Sequence, residues 1–328
     1  MQLPLITQIR QSHLMQKLIN EKSLEMDNSM YVNWACAVKG LLSHALKLRP
    51  RGKGSLALDY GTAIHAGLEQ FMLGKDLDAA VESFIKVATE LNIDKWLDDK
   101  RCTARGIETL ASWQMYKYNL THDYQAVDMD INGENGKAVE LGVKKLITTY
   151  ESDNLGLINI YWTGRVDAVV KYKGKLWILD HKTSSMLGDK FLDDKMRSNQ
   201  FIGYWYALND VIQKQFGESL AGVLLNVICT GRKEVAFETY ELPFSKWQID
   251  EWLVETKYRL ESIVDRLLGI YNGESWSMIE RELCVTKYGK CPFFEACNTV
   301  AKARDSVLVS AFDEQHWNPH DGAKIIEG

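Results

Sequence analysis

The sequence lacks any run of about 18 or more apolar residues, which is the length that a membrane-spanning helix needs. Its N-terminus also lacks the charged and apolar segments of a secretory signal peptide. We find no internal repeat and no low-complexity linker. We therefore expect a soluble, cytoplasmic protein whose 328 residues form one domain, because 46% hydrophobic residues are ample for a core.

The sequence also lacks an excess of positive charge. It carries 39 Lys and Arg residues against 44 Asp and Glu residues, which gives a net charge of −5. This balance argues against a protein that coats polyanions through its overall charge, so any such contact needs a local basic groove. The basic loop before residue 55 offers Lys47, Arg49, Arg51 and Lys53 as candidates, although solvated surface charges are the default interpretation.

A disulfide framework is the third feature that the sequence does not predict. Six cysteines in a long chain without a secretory signal favour metal binding and reduced thiols. Three cysteines lie close together near the C-terminus, and one stands alone far upstream. Cys102 and Cys229 fit no such pattern, and the apolar run around Cys229 predicts a buried, inert thiol. The four patterned cysteines are Cys36, Cys284, Cys291 and Cys297.

The spacing of apolar residues changes near residue 130. Before it, spacings of three and four predict helices; after it, alternating and continuous apolar runs predict strands with helices between them. This order predicts an α/β fold, with a central mixed sheet flanked by helices, a helical N-terminal region and a cysteine-bearing C-terminal segment. We divide the single domain into residues 1–130, 131–272 and 273–328. Predicted helices cover residues 30–46, 61–73, 76–92, 103–119, 194–215 and 245–271, while residues 1–30 are expected to be helical and residues 272–328 mostly irregular. Predicted strands cover residues 137–150, 158–183, 221–230 and 234–242.

One β-hairpin is the most informative part of the chain. The segments GRVDAVVKY and LWILDHKT have the composition of strands, and the Lys-Gly-Lys between them suits a tight reversal. Because side chains alternate along a strand, Asp180 and Lys182 share one face, while His181 offers only its backbone carbonyl. If the register sets Asp167 beside Asp180, two hard oxygen ligands converge, as Mg²⁺ or Mn²⁺ requires. Lys182 would then orient the attacking water or stabilise charge that develops on phosphate oxygens.

The pattern G-x-x-D followed by D-x-K-T resembles the PD-(D/E)XK nuclease superfamily in its RecB-like branch. Two further segments carry the resemblance, which spans residues 31–297. The segment GTAIH is similar to the G-T-x-x-H helix of that branch, and Gln200 to Tyr204 is similar to its Q-x-x-x-Y helix. Because Gln200 and Tyr204 are four residues apart on a helix, they line one face. The resemblance implies a restriction-endonuclease-like core.

The resemblance also implies roles for individual residues. It implies that His65, Asp167, Asp180 and the His181 carbonyl hold the metal, while Lys182 is the catalytic cation. Gln200 and Tyr204 would reach the substrate or the active site. Glu140 lies where the family often has an acidic residue before G-x-x-D, and a supporting role and a second-metal role both stay open for it.

The cysteine pattern resembles the iron–sulfur nucleases of the same branch, among them the AddB nuclease domain and the CRISPR-adaptation nucleases. There, one N-terminal and three C-terminal cysteines hold a [4Fe-4S] cluster, which needs four thiolates. The resemblance assigns this role to Cys36, Cys284, Cys291 and Cys297. Zn²⁺ on the same four thiolates is the chemical alternative.

The activity implied by the resemblance is a Mg²⁺- or Mn²⁺-dependent DNA exonuclease on single-stranded ends. Recombination, repair, phage DNA processing or CRISPR adaptation would be its setting, in the cytoplasm of a bacterium or of a virus-infected host. The sequence has no G-x-x-x-x-G-K-[ST] motif and hence no helicase motor, so a separate helicase or recombination partner is a further expectation. Two alternatives stay open: a non-catalytic DNA-end-binding protein that keeps the fold, and an RNA-directed nuclease.

Overall fold

The structure is a computed structural model that describes most of the chain. The described residues are 5–52, 55–98, 100–120, 123–230, 234–274, 280–286, 289–315, 320 and 323–328. The α-helices are α1 (Leu5–Gln11), α2 (His13–Asn20), α3 (Asn28–Asn33), α4 (Ala37–Gly40), α5 (Leu56–Met72), α6 (Leu77–Glu90), α7 (Thr103–Tyr118), α8 (Asp189–Met196), α9 (Asn199–Phe216), α10 (Lys246–Asn272), α11 (Phe294–Asn298) and α12 (Ala301–Ala311). A π-helical turn covers Leu41–Ala45, and 3₁₀ turns cover Ile93–Trp96 and Arg281–Leu283.

The strands follow the same chain order. They are β1 (Ser23–Met26), β2 (Leu48–Pro50), β3 (Gln125–Ala126), β4 (Asp128–Ile131), β5 (Glu134–Lys137), β6 (Val139–Ser152), β7 (Gly156–Tyr172), β8 (Lys175–Ser184), β9 (Gly222–Cys229), β10 (Ala236–Pro243), β11 (Val285–Thr286), β12 (Gly289–Lys290), β13 (Phe312–Glu314) and β14 (Lys324–Glu327).

A mixed sheet is the main feature of the fold. Its strand order is β10-β9-β8-β7-β6-β14, and β1 and β3 also pair with β7. β8 runs parallel to β9, whereas β7 runs antiparallel to β8 and β9 runs antiparallel to β10. All eight residues of β9 are buried, as expected of a central strand covered on both faces. The predicted α/β fold with a mixed sheet and flanking helices is confirmed.

The chain forms two compact units. The sheet unit comprises residues 54–144, 164–249 and 322–328, and the cysteine unit comprises residues 1–53, 145–163 and 250–321. Both units are discontinuous in sequence, because β6 and β7 each continue from one unit into the other. The prediction of a single nuclease domain with three consecutive parts stays a prediction.

The core of the sheet unit consists of two apolar clusters. One cluster joins residues of α5, α6 and α7, such as Leu68 and Trp113, to sheet residues such as Leu179. The other joins residues of α9, such as Phe201 and Leu208, to β7, β8 and β9. Alternate residues of β8 enter different clusters, since Leu179 belongs to the first and Ile178 to the second. The sheet is therefore covered by apolar side chains on both faces.

The cysteine unit has an aromatic core of its own. The indole of Trp162, in the first half of β7, lies 5.7 Å from the Tyr31 ring and 5.2 Å from the Trp252 ring, measured between ring centroids. The guanidinium of Arg259 lies 4.1 Å from the centroid of the Tyr31 ring and donates to the Tyr31 carbonyl. Phe293 and Phe312 stack with their ring centroids 5.0 Å apart.

Several predicted elements differ in the structure. The helix expected over residues 30–46 is interrupted, and Cys36 lies at the break with extended backbone angles. Residues 23–26, expected to be helical, form β1 because they pair in parallel with residues 159–162 of β7. The helix expected over residues 194–215 is two helices, α8 and α9. Residues 301–311, expected to be irregular, form α12.

Candidate functional site

The β7–β8 hairpin brings the two predicted aspartates together. Lys173 and Gly174 both have positive φ angles, of 49° and 75°, and form the tight turn. The register pairs Ala168 with Leu179, so Asp167 and Asp180 come next on their respective strands. There the backbone N–H of His181 donates to Asp167 Oδ2 over 2.6 Å. At this end of the β7–β8 pairing, the Asp167 carboxylate thus accepts a backbone hydrogen bond that a backbone carbonyl would otherwise accept.

The buried Asp180 and the half-buried Lys182 form an ion pair on one face of β8. Lys182 Nζ lies 2.7 Å from Asp180 Oδ2, and the Asp180 side chain is 2% exposed. Burial raises the pKa of Asp180, against the effect of Lys182. Burial alone would lower the pKa of Lys182, but the charges of Asp180 and Asp167 raise it. Lys182 therefore stays a cation at neutral pH.

His181 faces the other side of the sheet. Its ring centroid lies 5.8 Å from that of Trp113, and its side chain is buried. Burial lowers the pKa of His181 to about 4, so the imidazole is neutral at physiological pH. This side-chain direction is the one that the alternation along the strand predicts, and it leaves the backbone of His181 for the site.

α5 supplies His65, whose Nδ1 lies 3.5 Å from Asp167 Oδ2. Burial alone would lower the pKa of His65, but Asp167 raises it. Burial would raise the pKa of Asp167, and the charge and hydrogen bond of His65 hold it well below its usual range instead. Packing explains why the G-T-x-x-H segment begins with a glycine. A Cβ on Gly61 would lie 2.9 Å from Thr183 Oγ1 of β8. Close packing of α5 on β8 thus brings His65 to Asp167.

α9 places the Gln200–Tyr204 pair against the same hairpin. Gln200 Nε2 donates to the Tyr204 hydroxyl over 2.8 Å. A Cβ on Gly164 would lie 2.5 Å from Tyr204 Cε1, so the glycine of G-x-x-D makes room for the tyrosine ring. The two motifs are therefore in contact. The ring of Phe201, the residue after Gln200, lies 5.8 Å from Lys182 Nζ.

Glu140 lies near Asp167 in an unusual backbone conformation. Its φ is +49°, in the left-handed region that residues other than glycine rarely adopt. Glu140 Oε2 lies 3.2 Å from Arg165 Nε. Burial and the charge of Asp167 raise the pKa of Glu140 to about 7. A strained residue beside the aspartates is typical of a functional position.

Sequence reasoning missed two charged residues of this site. Arg165 pairs with Glu140, and its charge also acts on Glu69 of α5. Burial raises the pKa of Glu69. Both residues carried a signal in the sequence, because Arg165 lies inside G-R-V-D and Glu69 is four residues after His65 on the same helix.

The cysteine unit collects the four patterned cysteines. Together they line a cavity of about 160 Å³. Burial, together with the neighbouring Cys291 and Cys36, raises the pKa of Cys297 to about 11. The pKa of Cys284 is raised by burial and by the same two neighbours. The shared cavity places Cys36 next to the C-terminal cysteines.

The other two cysteines lie elsewhere. Cys229 ends β9 and is fully buried, as its apolar run predicts. Cys102 precedes the first residue of α7 and belongs to the sheet unit. Neither lines the cavity of the patterned cysteines.

The donor atoms of the aspartate site and of the cysteine site are both of kinds that bind metals. Within the described parts of the chain, the side chains as placed form no group of three or more His, Cys, Asp or Glu that could hold a metal ion. The carboxylates of Asp167 and Asp180 are instead engaged with His65 and Lys182. Two hard carboxylate oxygens with an imidazole suit Mg²⁺ or Mn²⁺, and four thiolates suit an iron–sulfur cluster or Zn²⁺.

The arginines of the basic loop form hydrogen bonds within the protein. Arg51 pairs with Asp313 and donates to the carbonyls of Ser310 and Phe312. Arg49 donates to the carbonyl of Ser43. Lys53 lies outside the described residues. The two arginines are therefore structural, and Lys47 stays a predicted candidate for a polyanion contact.

In the part of the chain that the structure describes, no helix combines the length and the apolar character needed to span a bilayer.

Comparisons with known proteins identify a family. The family model of the PD-(D/E)XK nuclease superfamily matches residues 34–298, well over half of the chain. No curated protein matches the sequence. A crystal structure of a "Putative exonuclease" from Eubacterium rectale is similar at 15% identity and a TM-score of 0.44, with 98% of each chain covered. The structure of SSO0001 is similar at 14% identity and a TM-score of 0.22, with 71% of this chain and 85% of that chain covered. At these scores neither likeness supports a conclusion about this chain.

Proposed function

Because the chain belongs to the PD-(D/E)XK nuclease superfamily, we propose that it is a metal-dependent DNA nuclease that hydrolyses phosphodiester bonds. The observation that carries the proposal is the ion pair of the buried Asp180 with the half-buried Lys182, 2.7 Å apart, on the strand next to Asp167. A buried carboxylate beside an ammonium whose side chain is 28% exposed is costly for folding, which favours a catalytic reason for both.

The proposed ligands of Mg²⁺ or Mn²⁺ are His65, Asp167, Asp180 and the carbonyl of His181. A bound divalent cation would supply a water of lowered pKa as the nucleophile. Asp167 is suited to this role because its pKa is held well below its usual range, so it stays a carboxylate throughout the physiological pH range. The His181 N–H, which donates to Asp167, fixes the direction of that carboxylate.

Lys182 is the proposed catalytic cation. Asp180 and Asp167 keep it protonated, and Asp180 holds its ammonium in place at 2.7 Å. From there it would orient the attacking water and stabilise negative charge on the phosphate oxygens. Gln200 and Tyr204, hydrogen-bonded to each other and packed on Gly164, would contact the substrate. Glu140 would support the site through Arg165 or assist a second metal.

The finer activity that we propose is that of an exonuclease on single-stranded DNA ends, in the RecB-like branch. The motifs around His65 and the Gln200–Tyr204 pair support it. Without a helicase motif, the chain would work beside a separate helicase or recombination protein.

The second proposed cofactor is a [4Fe-4S] cluster on the four patterned cysteines, with Zn²⁺ as the alternative. The support is that Cys36 lies next to cysteines about 250 residues later in the chain. Its role would be structural, because hydrolysis transfers no electrons.

The test is incubation of the purified protein with labelled single- and double-stranded DNA and RNA, with Mn²⁺ or with EDTA. We expect Mn²⁺-dependent degradation of single-stranded DNA from its ends. Degradation of RNA alone would establish the RNA-directed nuclease instead. Binding of DNA ends without cleavage under all metal conditions would contradict the enzyme and favour the end-binding protein.

A further inference from the structure

Asn226 is a polar residue in the middle of an apolar strand. β9 is buried along its whole length, and Asn226 is 0% exposed. Asparagine is depleted in strands, and a buried amide is costly unless its hydrogen bonds are made. Its presence at the centre of β9 therefore needs a reason other than strand formation.

The amide of Asn226 contacts three side chains. Its Oδ1 accepts from Trp113 Nε1 over 3.0 Å and lies 3.0 Å from His181 Nδ1. Its Nδ2 donates to Thr239 Oγ1 over 3.2 Å. Because an indole nitrogen can only donate, the Trp113 contact decides which end of the amide is the oxygen.

This orientation decides the tautomer of His181. Nδ1 faces a carbonyl oxygen, so it carries a hydrogen, and in a neutral imidazole the other ring nitrogen is then bare. The Nε2 atom of His181 is buried and has no hydrogen-bond partner within the described residues, which agrees with a nitrogen that has no hydrogen to donate.

The same contact reaches the backbone of the proposed active site. His181 and Asn226 are opposite each other in the parallel register of β8 and β9. His181 also donates its backbone N–H to Asp167 over 2.6 Å. A ring held on one side of the sheet thus limits the rotation of the peptide group that orients Asp167.

We propose that Asn226 is a positioning residue: it holds His181 as the Nδ1–H tautomer and thereby fixes the peptide that orients Asp167. The effect on catalysis rests on the proposed nuclease function, whereas the tautomer does not. Groups that orient the partners of a metal ligand typically change metal affinity or activity by about 10- to 100-fold when they are removed.

The experiment compares three variants. Asn226→Leu removes the acceptor, while Asn226→Asp keeps an oxygen facing Trp113 and His181. Asn209→Leu is the matched control, because Asn209 is a buried asparagine of α9 whose Oδ1 accepts from the Leu220 N–H over 2.9 Å. It removes a buried, hydrogen-bonded amide without altering the contact to His181.

The first readout is long-range ¹H–¹⁵N NMR of the histidine rings in metal-free protein, with His181 assigned from the spectrum of His181→Gln. We expect the Nδ1–H tautomer in the unaltered protein and in Asn226→Asp, and its loss in Asn226→Leu. A hydrogen on Nε2 of His181 in the unaltered protein would overturn the inference, whether or not any variant folds.

The second readout is kinetic. For Asn226→Leu we expect kcat to fall by about 10- to 100-fold with little change in KM for DNA, and Mn²⁺ to bind correspondingly more weakly. Asn226→Asp should recover most of kcat, and Asn209→Leu should keep it even if its melting temperature falls. Equal rates for the two leucine variants would reduce Asn226 to a structural role. A protein inactive on every nucleic acid would refute the proposed function, and the NMR result would still decide the tautomer.

Discussion

The two candidate sites of this protein differ in how their charges are balanced. In the sheet unit each aspartate has a basic partner, since Asp180 pairs with Lys182 and Asp167 with His65. In the cysteine unit the four thiols line one cavity, and the neighbouring cysteines add to the effect of burial in raising the pKa of Cys284 and Cys297. The first arrangement sets a basic group of the protein itself beside each carboxylate. The second gathers groups whose ionised forms repel, so we expect its cofactor to contribute to folding and that of the first site to chemistry alone.

The largest expected effect is loss of the fold when the cysteine site is broken. A cross-link between Cys36 and the C-terminal cysteines closes a loop of most of the chain, which the chain-entropy model values at on the order of 5 kcal/mol. That approaches the whole stability of a typical domain, roughly 5 to 15 kcal/mol. Cys36→Ala should therefore aggregate or become protease-sensitive, which limited proteolysis measures.

The unaltered protein, purified without oxygen, should be brown, with iron and acid-labile sulfide at about four each per chain. Cys102→Ala and Cys229→Ala are the controls and should keep the colour. Stoichiometric zinc without sulfide would contradict the cluster, though it would leave the cross-link intact. A soluble, protease-resistant Cys36→Ala protein would remove the contrast between the two sites.

The next effect should appear in activity. Lys182→Met removes the proposed catalytic cation and should lower kcat by about 10²- to 10³-fold, the usual cost of one preorganised electrostatic group. The fold should survive, because burial already raises the pKa of Asp180 and allows it to take up a proton. Single-turnover cleavage and thermal melting measure the two parts. Lys171→Met, which replaces an exposed lysine near the end of β7, is the matched control. Cleavage by Lys182→Met at the unaltered rate would rule out the mechanism.

A smaller effect concerns stability against pH. The pKa of Glu140 is raised from its unfolded value, roughly 4.3, to about 7 in the fold. Between these two pH values the folded state binds one proton more than the unfolded state. The stability that this proton contributes is complete below the unfolded pKa and is lost as pH rises through 7. Glu140→Gln should therefore gain stability relative to the unaltered protein at pH 8, by on the order of 2 kcal/mol, and no longer differ near pH 4. Denaturant unfolding in EDTA at both pH values is the measurement, and a gain that does not depend on pH would contradict it.

The smallest effect should come from the surface. Lys47→Glu should weaken DNA binding by less than about tenfold and lower the salt slope by about one to two counterions. Fluorescence anisotropy at several salt concentrations measures both quantities. Because Arg49 and Arg51 are held by internal hydrogen bonds, their replacement should reduce stability as well as binding. An unchanged salt slope for Lys47→Glu would place the DNA-binding surface elsewhere.

The sequence by itself determined the features that depend on neighbouring residues. Alternation along β8 was enough to place Asp180 and Lys182 on one face and His181 on the other. The turn at Lys173 and Gly174 could be read from its composition, and so could the four-residue spacing that joins Gln200 to Tyr204. These are local properties, set by strand and helix periods and by turn conformation.

The tertiary structure alone decided what lies together from distant parts of the chain. It placed Asn226 opposite His181, because a parallel register depends on a crossover that no local pattern specifies. It placed the backbone of Glu140 at a positive φ, in the left-handed region that this residue type disfavours. It also joined Arg49 and Arg51 to backbone carbonyls by hydrogen bonds, and it ended the helix before Cys36. Each of these outcomes depends on packing between residues far apart in sequence, which can override local propensity because burial and hydrogen bonding outweigh it.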